Sequence, residues 1–249
     1  MKNILIIAGS DSVGGAGVQA DIKTCEAFSC YAATAITALT AQNTNGVSNN
    51  IFATNPQNLN EQIKMVNEEL EIDAIKVGML FNKELIACVS PWLEKFYKRG
   101  VSVVIDPVCV AKSGSKLLED DAIFALKELF NFADIITPNI DEAKVLELDI
   151  KNLPCDTILK RSKVSEICED TLFKKTGEVV KFKEPLIKPE IMHGAGCSFA
   201  SALACLLANS HSKEEAIEIA KKYISNAIKS AITTKFGKRL LNHKVGING

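Results

Sequence analysis

No run of about 18 consecutive apolar residues occurs in the 249-residue sequence, so nothing in it reads as a membrane-spanning helix. A basic excess is missing as well. With 29 Lys and Arg against 30 Asp and Glu, the formal charge of −1 offers nucleic acid or an anionic membrane no broad surface, although a local phosphate site can still be basic. Eight cysteines are present, but no Cys-x-x-Cys occurs and the three histidines are scattered. That leaves no zinc or disulfide framework and makes most of the thiols buried, reduced, small hydrophobes. With 47% hydrophobic and 24% charged residues, the composition is that of a folded globular chain rather than a disordered one. The opening Met1-Lys2-Asn3 leads directly into the apolar run 4–8 and then the polar Gly9-Ser10-Asp11. That run is too short, and its sequel too polar, for a signal peptide, so the expected location is the cytoplasm.

What is present is alternation. Short apolar runs at 4–8, 31–37, 74–77, 101–105, 135–136 and 157–159 read as strands, and segments 19–27, 59–70, 83–97, 120–130 and 141–146 place apolar residues at helical spacing. Strands alternating with helices predict an α/β fold with a mainly parallel sheet covered on both faces. Residues 169–182 differ: two strand-like runs flank Lys174-Lys175-Thr176-Gly177-Glu178, the pattern of a hairpin. The last third reads as two helices, 197–208 and 213 to about 233. No long linker, repeat or low-complexity tract intervenes, so one domain over 1–249 is expected.

Five segments carry residue types that ligand chemistry needs. Gly9-Ser10-Asp11-Ser12-Val13-Gly14-Gly15-Ala16-Gly17 follows a strand and opens a helix, a common setting for an anion. It is not a Walker loop, which needs Lys where Gly15 stands, and it lacks the acid of the dinucleotide fingerprint, since no Asp or Glu occurs between Glu26 and Glu61. A plain strand-to-helix turn at positive φ would use the same glycines. In His193-Gly194-Ala195-Gly196-Cys197, small residues open a helix, so the backbone amides of Gly194, Ala195, Gly196 and Cys197 could form an anion hole for a phosphoryl group in flight. The helix field is expected to lower the Cys197 thiol pKa, so that a thiolate could accept a hydroxyl proton; helix packing around a buried cysteine is the alternative.

Asn139 and Glu142, in Thr137-Pro138-Asn139-Ile140-Asp141-Glu142, share a helical face and could hold hydrated Mg2+ against nucleotide phosphates, or could simply form a capping box. Asp106 ends the strand Val103-Val104-Ile105 and could serve metal or phosphate or merely form a turn, and Lys112 in the following loop could neutralise phosphate charge. Gln42, in Thr37-Ala38-Leu39-Thr40-Ala41-Gln42-Asn43-Thr44, could read a heteroaromatic edge with its two-way amide or lie in a solvated loop.

Taken in order, these segments resemble the hydroxymethylpyrimidine and phosphomethylpyrimidine kinases of the ribokinase superfamily. The resemblance rests on Ala8-Gly9-Ser10-Asp11, Gly14-Gly15-Ala16-Gly17-Val18-Gln19-Ala20-Asp21-Ile22-Lys23-Thr24, the segment from Ile36 to Thr44, and Lys76-Val77-Gly78-Met79-Leu80. It continues through Asp106-Pro107-Val108, Ala111-Lys112-Ser113-Gly114, Thr137-Pro138-Asn139 with Glu142, and His193-Gly194-Ala195-Gly196-Cys197. It implies a ribokinase-like three-layer α/β/α fold around a central, mostly parallel sheet. It also implies a kinase that moves the γ-phosphoryl group of ATP, with Mg2+, onto 4-amino-5-hydroxymethyl-2-methylpyrimidine and then onto the monophosphate, in thiamin biosynthesis. The implied partners are the small pyrimidine and a second copy in a homodimer, with no nucleic acid and no membrane.

Carried over by residue, Gly9, Asp21, Gln42, Met79 and Val108 would line the pyrimidine pocket, with Asp21 and Gln42 reading the ring nitrogen and amino edge. Asp106, Lys112, Asn139, Glu142 and Lys160 would serve phosphates, with Glu142 reaching Mg2+ through water. Gly194 to Cys197 would form the anion hole, with Cys197 in the base position that relatives acting on sugars fill with Asp.

The sequence departs from the family on the nucleotide side. Only a short connector joins Leu146 to Thr157, where relatives insert a helix, and Lys160-Arg161-Ser162-Lys163 stands where they have Lys-Gly-Gly-His. Ala195 replaces the more usual Thr, and Gly237 to His243 matches the family's glycine-rich ending loosely. Two alternatives stay open: a pyridoxal or pyridoxine kinase on the same fold, and a non-catalytic pyrimidine-binding homologue.

Overall fold

The computed structural model describes residues 1–110, 114, 116–188 and 192–245. Strand β1 (Asn3–Asp11) shows why a sheet lies at the centre, since Ile4 to Ala8 are all buried. Side chains alternate across a strand, so Ile4, Ile6 and Ala8 pack into one apolar cluster while Leu5 and Ile7 pack into another on the opposite face. A strand covered on both sides reads as an unbroken apolar run, which is what the sequence has here.

Helix α1 (Gly17–Ala27) returns the chain to β2 (Tyr31–Asn43), parallel to β1, and β3 (Gly46–Ala53) folds back antiparallel on β2. The alternation continues through α2 (Pro56–Glu69), β4 (Ala74–Val77), α3 (Lys83–Lys98), β5 (Ser102–Ile105), α4 (Ile123–Glu128), β6 (Ile135–Ile136), α5 (Ile140–Val145) and β7 (Asp156–Val164). Strands β8 (Ile167–Phe173) and β9 (Val179–Pro185) then add the expected antiparallel hairpin, its turn closed by bonds from Lys174 N to Glu178 O and from Gly177 N to Lys174 O. The sheet order is β3-β2-β1-β4-β5-β6-β7-β8-β9, parallel from β2 to β7.

Leu59 and Ile63 of α2, Leu85, Val89 and Leu93 of α3 and Leu126 of α4 cover the face that holds Leu5 and Ile7. Val18 of α1, Phe199 and Leu203 of α6 (Ala195–Ala208), and Ala216, Ile217 and Tyr223 of α7 (Lys213–Lys229) cover the other. Burying each such large aliphatic side chain contributes about 1.5–3 kcal/mol, so the two faces anchor the sheet rigidly.

Three features differ from expectation. Helix α7 stops at Lys229, because Ile232–Thr233 (β11) pairs antiparallel with Arg239–Leu240 (β12), itself parallel to Met192–His193 (β10), in a small second sheet. Strand β3 was not expected, since Gly46-Val47-Ser48-Asn49-Asn50 lacks the apolar run of a central strand; it is an edge strand. Strand β2 runs to Asn43, so Gln42 sits on a strand rather than in a loop. Among the described residues no helix is long and apolar enough to cross a membrane.

From β1 the chain passes to β2 on one side and later to β4 on the other. The carboxyl ends of β1 and β4 therefore flank a switch point, the place where open α/β sheets bind ligands.

Candidate active site

The carboxyl ends of these strands open onto one cavity of about 550 Å3. Following the sheet, Gln42 of β2, Gly9 at the end of β1, Met79 beyond β4 and Val108 beyond β5 line one side. Met79 and Val108 pack with Ala38 and Leu117 in a small apolar cluster, a wall suited to a flat ring. Towards β7 and β8 the lining becomes Lys160, Arg161 and Asp170, with Lys221, Ile224 and Ile228 contributed by α7. The amino end of α6 lies between, contributing Gly194, Ala195, Gly196 and Cys197 to the lining.

That helix end has the features of an anion hole. Gly194 is its N-cap at φ 85°, and no side chain caps it. The first intrahelical bond runs from Ser198 N to Gly194 O, so the amides of Ala195, Gly196 and Cys197 have no partner within the helix. Any side chain at Gly194 would overlap the carbonyl oxygen of Gly15, and a Cβ at Gly196 would come within 3.1 Å of Lys160 Nζ. Gly194 is needed both for the close approach and for its left-handed backbone, whereas a Cβ at Gly196 would crowd the Lys160 ammonium.

Two buried lysines supply positive charge to this region. Lys160 Nζ donates to Asp106 Oδ1 at 2.7 Å, and the same oxygen accepts from Thr137 Oγ1 at 2.8 Å. Burial opposes the charge on Asp106, but Lys160 and Lys76 hold its carboxyl below the usual range. Burial likewise opposes the charge on Lys160, yet Asp106 and Glu142 keep it cationic. Lys76, fully buried yet lining the cavity, donates to Asp21 Oδ2 at 2.8 Å; burial disfavours its charge, but Asp21, Cys197 and Asp106 raise its pKa.

Several expectations need correction. Asp21 is not among the residues that line the cavity: it is fully buried on α1, with Oδ2 accepting from Lys76 Nζ and Oδ1 from Ser201 Oγ at 2.7 Å, so both carboxylate oxygens are engaged within the protein. The Cys197 thiol pKa is raised rather than lowered. Burial pushes it up to about 11, Asp21 and Asp106 add to the rise, and Lys76 offsets only part of it. Asn139 and Glu142 form a capping box, with Glu142 N donating to Asn139 Oδ1 at 2.9 Å and Asn139 N to Glu142 Oε2 at 2.8 Å, although both residues line the cavity. Lys112 lies outside the described residues.

At Arg161 the backbone makes a turn of the kind that glycine favours. Arg161 stands at φ 52°, its N–H donating to Asp170 Oδ1 at 2.6 Å, while Lys221 Nζ donates to Asp170 Oδ2 at 2.6 Å. The β7–β8 register shifts between Leu159 and Lys163 to accommodate it.

Lys76, Asp11 and His193 also belong to the site, beyond the residues expected from the sequence. Asp11 accepts from the backbone N–H groups of Val13, Gly15 and Ala16, which shapes the glycine-rich turn, and its Oδ2 lies 2.7 Å from His193 Nε2. Burial works against its ionisation, but the His193 contact and the backbone donors hold its carboxyl below the usual value. A lone Lys inside the strand Ala74-Ile75-Lys76-Val77, and a His directly before Gly-Ala-Gly, were the available signals.

A covered α/β sheet, an uncapped helix end over two buried lysines and a ring-sized apolar wall define a small-molecule kinase of the ribokinase-like class that uses ATP. The family model described as phosphomethylpyrimidine kinase matches residues 11–242. The chain is 35% identical over 266 residues to the hydroxymethylpyrimidine/phosphomethylpyrimidine kinase of Haemophilus influenzae, covering 98% of this chain and 97% of that one. It is 37% identical to the thiamine biosynthesis bifunctional protein ThiED of Geobacter sulfurreducens, of which it spans about half, 52%. A crystal structure of Bacillus subtilis pyridoxal kinase in complex with ADP superposes with a TM-score of 0.86 at 30% identity, covering 98% of this chain and 97% of that one. The chain belongs to the phosphomethylpyrimidine kinase family.

Proposed function

We propose that the chain transfers the γ-phosphoryl group of ATP to the hydroxymethyl oxygen of 4-amino-5-hydroxymethyl-2-methylpyrimidine and, in a second turnover, to the phosphate of the product. The observation that carries this reading is the single cavity joining the Gln42, Met79 and Val108 wall to the uncapped end of α6 and to Lys76 and Lys160. The ring lies against the wall with its hydroxymethyl group directed at the amides of Ala195 to Cys197. Its oxygen forms a bond to the γ-phosphorus as the bond to the β,γ-bridging oxygen breaks and ADP leaves. The amides and the two lysines meet the charge on the equatorial oxygens, where positioning and electrostatics do most of the catalysis. The hydroxyl proton passes to the Cys197 thiolate.

Among the described residues no three metal-ligating side chains converge. Carboxylates lining the cavity, Glu142 and Asp141, suit a hydrated Mg2+ that arrives on the nucleotide phosphates, where it would offset their charge. The family resemblance also implies a homodimer, which sedimentation velocity tests.

The deciding experiment is an ADP-release assay with ATP, Mg2+ and the pyrimidine, run beside pyridoxal. Faster turnover of the pyrimidine supports the reading. Faster turnover of pyridoxal, the substrate named for the Bacillus subtilis structure, overturns it. Pyrimidine binding with no ADP release from either substrate assigns the chain a binding role instead.

A further inference from the structure

The polar groups around Gln42 restrict how its amide can be oriented. Thr40 Oγ1 lies 2.8 Å from the Ser10 carbonyl oxygen and 3.2 Å from the Gln42 amide oxygen, yet a hydroxyl has one proton and both neighbours are acceptors. His193 Nε2 lies 2.7 Å from the Asp11 carboxylate and 3.1 Å from the Gln42 amide nitrogen. A carboxylate demands a proton on that ring nitrogen, while the amide NH2 demands a lone pair, and one atom cannot offer both. Amide oxygen and nitrogen exchange places by a half-turn, and the bonding network decides between them.

The half-turn resolves both conflicts at once. His193 Nε2–H then donates to Asp11 and, bifurcated, to the Gln42 oxygen, while the Gln42 nitrogen donates to Thr40 Oγ1, whose own proton goes to Ser10. This assignment needs only a proton on Nε2 and holds for the neutral and the charged ring alike.

We infer that His193, held by Asp11, is a positioning residue that locks the Gln42 amide and thereby makes the site select an amino-substituted over an oxo-substituted ring edge. In the locked amide, one oxygen lone pair on the His193 side and one N–H on the Thr40 side are left for a ligand. An edge that places an amine beside an unprotonated ring nitrogen complements this pair. The 4-oxo tautomer, with its carbonyl and ring N–H, opposes both groups. A freely rotating amide would accept either edge. The same histidine precedes Gly194, and a Cβ on Gly15 would come within 2.5 Å of His193 Cδ2, so the lock ties the ring-reading strand to the turn and to the anion hole.

The inference rests on the proposed pyrimidine substrate, and the test separates the two. The kcat/KM values for 4-amino- and 4-oxo-5-hydroxymethyl-2-methylpyrimidine are measured for the wild type, His193→Leu and His193→Gln. The amino-over-oxo ratio is expected to fall about tenfold in His193→Leu, mainly through faster use of the oxo ring, and to recover in His193→Gln, which keeps a donor. An unchanged ratio in folded His193→Leu, with the wild type active on the amino ring, overturns the lock alone. No turnover of either ring by the wild type overturns the substrate reading and the lock with it. A measurement independent of activity and of variant folding is 15N NMR of the histidine rings in the ligand-free wild type. Proton-bearing Nε2 at His193 is expected, and an unprotonated Nε2 refutes the inference.

Discussion

As the acceptor of the hydroxyl proton, the Cys197 thiol would make the chemical step steeply dependent on pH. With its pKa pushed up to about 11 by burial, the thiolate fraction at pH 7.5 is about 3 × 10⁻⁴, a cost of about 5 kcal/mol, and at pH 9 it is about 10⁻². If Cys197 takes the hydroxyl proton, the rate of phosphoryl transfer rises about 30-fold between those two values, tenfold per pH unit. Among the surrounding charges, Lys76 and Lys160 are raised above their ordinary value and Asp106 is lowered below its own, while burial raises the Asp21 carboxyl. The assay is single-turnover transfer from saturating ATP, by quenched flow, from pH 7 to 9.5. Cys197→Ala is expected to lose the slope and retain a slow, pH-independent rate from the anion hole and lysines. Cys197→Asp, a carboxylate ionised throughout the range, is expected to give a flat profile. A flat wild-type profile, or an undiminished slope in Cys197→Ala, would refute the proton transfer to sulfur and leave Cys197 as a packing group.

Further outcomes follow from the same geometry. Asp21→Asn removes the hydrogen-bonded counter-charge of the buried Lys76 ammonium, leaving only the more distant Asp106, and is expected to cost about 3–5 kcal/mol in urea unfolding; a loss below about 1 kcal/mol would show the pair to be dispensable. Gly194→Ala combines φ 85° with an overlap onto Gly15 O, so transfer is expected to fall at least about 100-fold while far-UV circular dichroism is retained. Asn139→Ala removes the cap of α5, in which Asn139 Oδ1 accepts from Glu142 N, and is expected to cost about 1 kcal/mol in urea unfolding; a KM for ATP unchanged within about twofold limits the residue to that cap, and a large rise places its amide nitrogen on phosphate.

The central sheet was legible because its strands are buried on both faces, and unbroken apolar runs such as Ile4 to Ala8 have few other readings. What escaped is the structure that pairing alone holds in place. β3 is polar and on the edge, and β10, β11 and β12 are two residues each, too short for any period to show. The end of α7 was overrun because helix propensity carries on past Lys229, while tertiary pairing of Ile232 and Thr233 with β12 stops it.

In the site, sequence placed chemistry-capable residues together but could not say which of their atoms were already engaged. Asp21 and Gln42 looked equally able to read a ring, yet only Gln42 reaches the cavity. The distinction was within reach. Val18, Asp21 and Cys25 are all buried, and their spacing of three and four puts them on one inward stripe of α1, so Asp21 needed an internal cation. Lys76, alone in an apolar parallel strand, needed an internal anion by the same rule. Each was an implausible burial alone; together they specify a pair, and that pair places a positive charge at the floor of the cavity beside Cys197. The thiol's pKa had no comparable signature, because burial, Asp21 and Asp106 raise it while Lys76 and the Gly17 backbone N–H lower it, a balance of distances that exists only once β4, β5, α1 and α6 have packed.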